Sequence, residues 1–203
     1  MKLFYSPASP YARKVLVCAH ELGLADEIET VPTSPFTDEE YRATNPLGKV
    51  PALASDEMGT IYDSTVICEY LDQLSTGAKV FPANDRPRID ALCLHALAQG
   101  MTDAALNLRQ NTMRGESEGA SPLPEDWYVE RQYSAIAAGM DEAEAKLEDF
   151  KGDVNIGTIA LACFLGYWNF RFADHVWQDD YPGLATWLAE FNARPSMIAT
   201  QPS

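Results

Sequence analysis

The chain has 203 residues, of which 46% are hydrophobic and 22% charged, so it can bury a core in one large or two small domains. Its 30 acidic and 15 basic residues give a net charge of −15, which argues against binding to the phosphate backbone of nucleic acid. Its apolar stretches are too short and interrupted to cross a bilayer. We therefore expect neither nucleic acid nor a membrane as a partner.

The first residues and the cysteines both indicate a cytoplasmic protein. Strand-like residues 1–5 leave no room for the charged and apolar regions of a secretory signal. The four cysteines, Cys18, Cys68, Cys93 and Cys163, are scattered, with no Cys-x-x-Cys pair and no histidine at metal-ligand spacing. We expect them to be reduced, buried and structural, and we expect no metal site.

Strand and helix patterns alternate in the first part of the chain. Strands are predicted at residues 2–6, 28–31, 50–54 and 60–62, and helices at residues 10–22 and 63–74. Apolar residues at three- and four-residue spacing support both helices, and Gly23 supplies a stop after the first. This part is therefore predicted to be an α/β domain at residues 1–76.

A linker with Pro82, Asn84 and neighbouring turn residues is predicted at residues 77–86, and strand patterns disappear after it. Helices are predicted at residues 89–113, 127–150, 155–174 and 182–193, with a loop at 115–124. The third of these helices is almost entirely apolar and should be central. The predicted fold class is α/β plus all-α, with an all-helical domain at residues 87–203.

The junction between the first strand and the first helix carries Ser9 and Pro10, and Arg13 and Lys14 follow within a turn. The helix N-terminus and the two cations favour an anion there, so a thiolate beside the Ser9 hydroxyl would be stabilised. Lowering a thiol pKa of about 8.5 by about two units takes roughly 2.7 kcal/mol and leaves the thiol mostly ionised at neutral pH. The alternative is that Ser9 only caps the helix.

Two later segments could belong to the same site. Pro51, at a strand entry, can be cis and leave the backbone of Val50 free to pair with a peptide; alternatively, a trans proline bounds an edge strand. Asp63 and Ser64 open a helix, where free N–H groups and a hydroxyl suit a carboxylate and Asp63 suits an ammonium group. Simple capping is the alternative for this pair.

These motifs together resemble bacterial members of the cytosolic glutathione S-transferase family. The opening of those enzymes is similar to YSPASPYARKV at residues 5–15, their cis-proline segment to NPLGKVPAL at 45–53, and the start of their third helix to DSTVI at 63–67. The likeness covers the whole chain, closely as far as residue 74 and loosely afterwards. It implies a thioredoxin-like N-terminal domain followed by a helical bundle.

The resemblance also implies a glutathione site formed by Ser9, Lys49, Val50, Pro51, Asp63 and Ser64. Ser9 would contact the sulfur as the catalytic residue, with Tyr5 and Ser6 as alternatives. Val50 and Pro51 would hold the cysteinyl unit, the acid–serine pair would hold the γ-glutamyl end, and Lys49 would meet the glycyl carboxylate.

The expected function is a glutathione transferase that activates the thiolate for attack on a small electrophile. Ser9 matches the nucleophilic cysteine of thioredoxin-like oxidoreductases, and a serine cannot form a mixed disulfide, which disfavours thiol–disulfide exchange. A binding protein with little catalysis and a glutathione-dependent isomerase or dehalogenase remain alternatives. The two-faced helix at residues 89–113 and the helix at 63–74 suggest a homodimer, as does the resemblance.

The remaining expectations concern the second substrate and the helical domain. The electrophile pocket should lie between the two domains, lined by Tyr11, the helix around residues 101–109 and Trp168. No partner is identifiable in the sequence for His20, His95 or His175, and each is expected to be packed or solvated. The family's buried capping box would be formed here by Asn155 and Thr158, although threonine cannot supply the usual carboxylate.

Overall fold

The computed structural model describes residues 1–35, 37–83, 85–118 and 126–203. The first domain contains a four-stranded mixed sheet in the order β2-β1-β3-β4. Its strands are β1 (Lys2–Tyr5), β2 (Glu29–Pro32), β3 (Ala52–Ser55) and β4 (Gly59–Ile61). Strands β1 and β2 are parallel, whereas β3 runs antiparallel to both β1 and β4. Strand β1 lies between β2 and β3 and ends at Tyr5. Helix α1 begins at Pro10, so Ser9 lies in the short connection between this strand and the helix.

Helices cover the sheet and make up the second domain. In chain order they are α1 (Pro10–Glu21), α2 (Tyr41–Thr44), α3 (Ser64–Leu74), α4 (Asp85–Glu118), α5 (Asp126–Ala145), α6 (Leu147–Phe150), α7 (Ile156–Arg171), α8 (Pro182–Asn192) and α9 (Pro195–Ala199). A thioredoxin-like α/β domain followed by a helical domain confirms the predicted fold class. The division at residues 76 and 87 stays a prediction.

The helical domain differs from the sequence prediction in three places. Residues 115–118 were predicted as part of a loop that begins at Gly115, but they continue the 34-residue helix α4. A single glycine costs a helix about 1 kcal/mol, which a helix as long and well packed as α4 tolerates. The rest of that loop, like Asn84 of the predicted linker, lies outside the described residues. The helix predicted at 127–150 breaks at Lys146 into α5 and α6. Helix α9, which begins at Pro195, was not predicted.

Helix α7 is the centre of the helical domain, as its apolar sequence predicted. All of its residues from Ile156 to Leu165 are buried, and it packs against α4 and α1. The approach to α4 is close at Gly157, where an added Cβ would lie 2.6 Å from the carbonyl oxygen of Ala91 and 2.9 Å from the Cβ of Leu94. A side chain at residue 157 would therefore force the two helices apart.

The N-terminus of α7 is closed by a complete capping box. The side-chain oxygen of Asn155 accepts hydrogen bonds from the N–H groups of Gly157 at 2.9 Å and Thr158 at 3.2 Å. In return, the Thr158 hydroxyl accepts the N–H of Asn155 at 2.9 Å. The hydroxyl thus fills the place of the carboxylate that the family usually has, and every member of the box is buried.

The C-terminal residues are tied to the end of α1 by a cluster around Glu21. Arg194 donates to its carboxylate through Nε and Nη2 at 2.8 and 2.7 Å, and Ser196 donates through its hydroxyl at 2.5 Å. These hydrogen bonds lower the pKa of Glu21, and the hydrogen bond from Arg194 has the largest effect. Burial acts in the opposite direction. The cluster anchors α9 and the end of α8 to the first domain.

Cys18, Cys68 and Cys163 are buried free thiols, as predicted. The prediction is wrong for Cys93, which is exposed because it lies on the solvent-facing side of α4.

Within the described parts of the chain, no helix is long and apolar enough to span a bilayer. The same ranges contain no group of three or more His, Cys, Asp or Glu side chains arranged to hold a metal ion.

Candidate functional site

A cavity of about 950 Å³ lies between the sheet domain and the helical domain. The structure brings all six residues of the predicted glutathione site to its wall: Ser9, Lys49, Val50, Pro51, Asp63 and Ser64. They come from three segments that are separated in sequence and converge at one edge of the sheet. Their contacts with glutathione stay a prediction.

Ser9 is the N-cap of α1. Its backbone is extended, with φ −81° and ψ 121°, and its Oγ accepts the N–H of Ala12 at 3.2 Å. Pro10 follows at the first helical position, where its missing N–H has no intrahelical partner to lose. Because Oγ is the acceptor in the capping bond, the hydroxyl proton remains available to a group in the cavity. Ser9 therefore caps the helix and can also donate to a ligand.

The two alternatives to Ser9 are placed differently. Ser6 lines the cavity, and its carbonyl oxygen accepts the N–H of Ser9 at 2.9 Å. Tyr5 is not among the cavity-lining residues and packs against the hydrophobic core. The geometry leaves Ser6 as the nearer rival.

The Val50–Pro51 peptide bond is cis, as predicted. The loop before it is fixed by its own side chains, because Asn45 Nδ2 and the Tyr41 hydroxyl both donate to the carbonyl oxygen of Lys49 at 2.7 Å. Pairing of β3 with β1 begins only at Ala52, opposite Phe4, so Val50 lies outside that ladder. Its backbone is therefore positioned at the cavity wall rather than within the sheet.

Asp63 and Ser64 form the start of α3. Asp63 is the N-cap and accepts the N–H of Thr65 at 2.9 Å, and its peptide bond with Tyr62 is also cis. Ser64 is buried yet contributes to the cavity wall. A carboxylate and a helix N-terminus thus stand side by side, which suits an amino acid with both its charges present.

Arg13 and Lys14 are buried and are not among the residues that line the cavity, which corrects the expectation that both cations favour an anion beside Ser9. Arg13 Nη2 donates to the carbonyl oxygen of Met197 at 3.3 Å. Lys14 Nζ lies 2.9 Å from Nε2 of His95 and donates to Gln99 at 3.0 Å. His95, expected to lack a partner, has one because α4 packs against α1. That contact joins residues 81 positions apart.

The buried pair of His95 and Lys14 predicts a pH-dependent loss of stability. Burial, and then the Lys14 ammonium, lower the His95 pKa from 6.5 to about 4, against a raising effect of Asp63. The folded state therefore binds this proton less readily than the unfolded state. Stability is fully present above pH 6.5 and is lost as the pH falls towards 4, by about 2 kcal/mol at pH 5.

Urea unfolding at pH 7 and pH 5 measures this loss. In the His95→Gln variant, whose amide can still accept from Lys14, the difference between the two pH values should shrink by about 2 kcal/mol. An equal loss in wild type and variant would contradict the prediction.

The far wall of the cavity belongs to the helical domain. It is built by Gln99, Asp103, Leu106, Asn107, Arg109, Gln110 and Met113 of α4 and by Tyr167 and Arg171 of α7. Tyr11 lines it as predicted, but Trp168 does not, because it faces the core and stacks on Phe172 at 4.4 Å. Met101 is likewise buried.

Tyr167 and Arg171 were missed by sequence reasoning. Their four-residue spacing on a mostly apolar helix was the available signal.

Tyr11 joins the two walls of the cavity. Its hydroxyl donates to the carboxylate of Asp103, so α1 and α4 are linked directly at the cavity wall. Burial, and then the hydrogen bond to Asp103, raise the pKa of Tyr11 well above its usual range. The phenol therefore stays protonated and acts as a donor at this position.

Comparisons with known proteins agree with this geometry. The chain matches the family models "Glutathione S-transferase, N-terminal domain" at residues 8–74 and "Glutathione S-transferase, C-terminal domain" at 125–190. The uncharacterized GST-like protein YibF of Escherichia coli K12 is 34% identical, over 100% of this chain and 98% of YibF.

Two solved structures are also similar over 100% of this chain. A glutathione transferase family member of Pseudomonas fluorescens Pf-5 with bound glutathione has a TM-score of 0.90 and 37% identity, with 98% of that chain covered. A glutathione S-transferase of Methylobacillus flagellatus with glutathione bound has a TM-score of 0.88 and 33% identity, with 99% covered. With both domains matched and full-length relatives above 30% identity, this chain belongs to the glutathione S-transferase family.

Proposed function

We propose that this protein is a glutathione transferase that binds glutathione in the cavity between its domains and adds the thiolate to a small electrophile. The observation that carries the proposal is the meeting of three separate segments at one cavity wall: the Ser9 cap, the Val50–Pro51 loop and the start of α3. The glutathione bound in the two similar structures supports the choice of thiol.

Activation of the thiol is the central step. A sulfur placed at the N-terminus of α1 accepts a hydrogen bond from the Ser9 hydroxyl and lies in the field of the helix dipole. Both interactions favour the thiolate over the thiol, so the thiol proton passes to solvent and the anion persists near neutral pH. The thiolate then forms the new carbon–sulfur bond, and the electrophile releases a leaving group or takes a proton at the adjacent carbon.

The rest of glutathione fits the remaining polar groups. The backbone of Val50 pairs with the cysteinyl unit, while the Ser64 hydroxyl and the first N–H groups of α3 donate hydrogen bonds to the γ-glutamyl carboxylate. Asp63 faces the γ-glutamyl ammonium, and Lys49 is exposed at the cavity edge, where it can meet the glycyl carboxylate. The large cavity then leaves room for a second substrate beside Tyr11 and the helical wall.

Assembly as a homodimer remains part of the proposal. Val66 on α3 and Ile89 on α4 have relative exposures of 50% and 56%, so both of the helices expected to form the interface carry uncovered apolar side chains.

The test is a titration of enzyme-bound glutathione, followed by thiolate absorbance against pH and combined with turnover of 1-chloro-2,4-dinitrobenzene. We expect the bound thiol to ionise with a pKa about two units below its free value, and we expect turnover that follows the same ionisation. Binding with an unshifted pKa and no turnover would indicate a carrier or interaction protein. Absence of binding would overturn the proposal.

A further inference from the structure

We propose that the electrophile carries a carboxylate, which Arg109 of α4 and Arg171 of α7 bind at the helical wall of the cavity. This inference rests on the proposed glutathione transferase function and adds the class of second substrate.

The first support is the charge of the cavity. The chain has twice as many acidic as basic residues, 30 against 15. Among the residues that the structure describes, the charged side chains lining the cavity reverse this balance: Lys49, Arg109 and Arg171 against Asp63 and Asp103. A cation-rich cavity in a strongly acidic protein favours an anionic ligand, because it offsets the repulsion that the remaining surface exerts on that ligand.

The second support is that the two acidic residues of the wall are already engaged. Asp103 accepts the hydroxyl of Tyr11, and Asp63 caps α3 through the N–H of Thr65. Neither Arg109 nor Arg171 forms an ion pair with any carboxylate whose side chain the structure describes. The two guanidinium groups are therefore free to take an anion.

Three other arginines of the described chain form ion pairs. Arg86 pairs with an aspartate, and Arg88 and Arg194 each pair with a glutamate. Arg171 instead lies 4.3 Å over the ring of its neighbour Phe170, a contact that leaves its N–H edge available.

The third support is convergence. Tyr167 precedes Arg171 by one helical turn on α7, and both line the cavity opposite Arg109. Burial raises the pKa of Tyr167, and the positive charges of Arg171 and Arg109 act in the opposite direction. Two guanidinium groups and a hydroxyl form a donor set that suits the planar, bidentate geometry of a carboxylate.

Calorimetric binding of two ligands tests the proposal without requiring turnover. S-(5-carboxypentyl)glutathione and S-hexylglutathione share the tripeptide and a flexible chain of equal length, and they differ in the terminal carboxylate. We expect wild type to bind the carboxylate ligand at least about tenfold more tightly, as one charge-assisted pair would give. In the Arg109→Gln/Arg171→Gln double variant this preference should disappear while the affinity for S-hexylglutathione is kept.

Arg131→Gln is the control, because Arg131 is exposed on α5 and does not line the cavity. The substitution removes one positive charge from the same domain, against two in the double variant. Its preference should equal that of wild type. Equal binding of both ligands by wild type would overturn the inference and leave the proposed function standing. A double variant that loses both ligands equally would overturn it too, since the arginines would then hold glutathione itself. If wild type binds neither ligand, the proposed function fails as well.

Discussion

Replacing Ser9 with alanine should raise the pKa of the bound glutathione thiol by about one to two units. It should also lower kcat/KM for the electrophile at pH 6.5 by roughly 10- to 100-fold. The reason is that a hydroxyl donating to a thiolate is a charge-assisted hydrogen bond worth about 1.5–3 kcal/mol. The deficit should shrink above pH 9, where the thiol ionises without help. A pH–rate profile of both proteins with saturating glutathione measures the effect.

Two further variants separate catalysis from folding. Ser9 also caps α1 through the N–H of Ala12, so the alanine variant should lose about 1 kcal/mol of stability as well. Ser9→Thr keeps a hydroxyl and a cap and should retain most of the activity. Ser6→Ala tests the nearer rival. If it shifts the thiol pKa more than Ser9→Ala does, Ser6 is the sulfur contact.

Replacing Gly157 with alanine should destabilise the protein by about 2 kcal/mol, a fall in Tm of about 4–8 °C for a chain of this size. Helix propensity alone predicts the opposite sign, because alanine is favoured over glycine in a helix by about 1 kcal/mol. Packing prevails here, since the new methyl group would lie 2.6 Å from the Ala91 carbonyl oxygen, which α4 cannot easily move.

Gly100→Ala is the matched control for this change. Gly100 lies within α4 and is exposed, and apart from its own helix no described atom lies within 4 Å of the position that an added Cβ would take. Its replacement should stabilise the protein by about 0.5–1 kcal/mol. Thermal unfolding of the two variants beside wild type should therefore give shifts of opposite sign, and shifts of the same sign would refute the packing explanation.

Local signals made the glutathione side of the cavity predictable from sequence. A serine before a helix, a proline at a strand entry and an acid–serine pair at a helix start each act through their own backbone neighbours, so spacing alone places them. Once the order of strands and helices is known, the sheet brings the three together. The same locality explains why Gly23, with φ 73°, was recognised as the end of α1.

The helical wall was less predictable because it depends on how helices are rotated against one another. Tyr167 and Trp168 are adjacent in sequence, yet the first faces the cavity and the second the core. An apolar helix such as α7 carries little periodic information about which side faces the cavity. The contact between Lys14 and His95, and with it the burial of Lys14, arises only when the two domains pack.

The cluster around Glu21 has a consequence for synthesis on the ribosome. Helix α1 is among the first elements to be made, but Arg194 and Ser196 follow 173 and 175 residues later. At 5–20 residues per second, Glu21 waits about 9–35 s for its partners. During that interval the part of α1 that will meet α9 lacks its packing partner. The packing of α1 in the native fold is therefore completed only after α9 has been made.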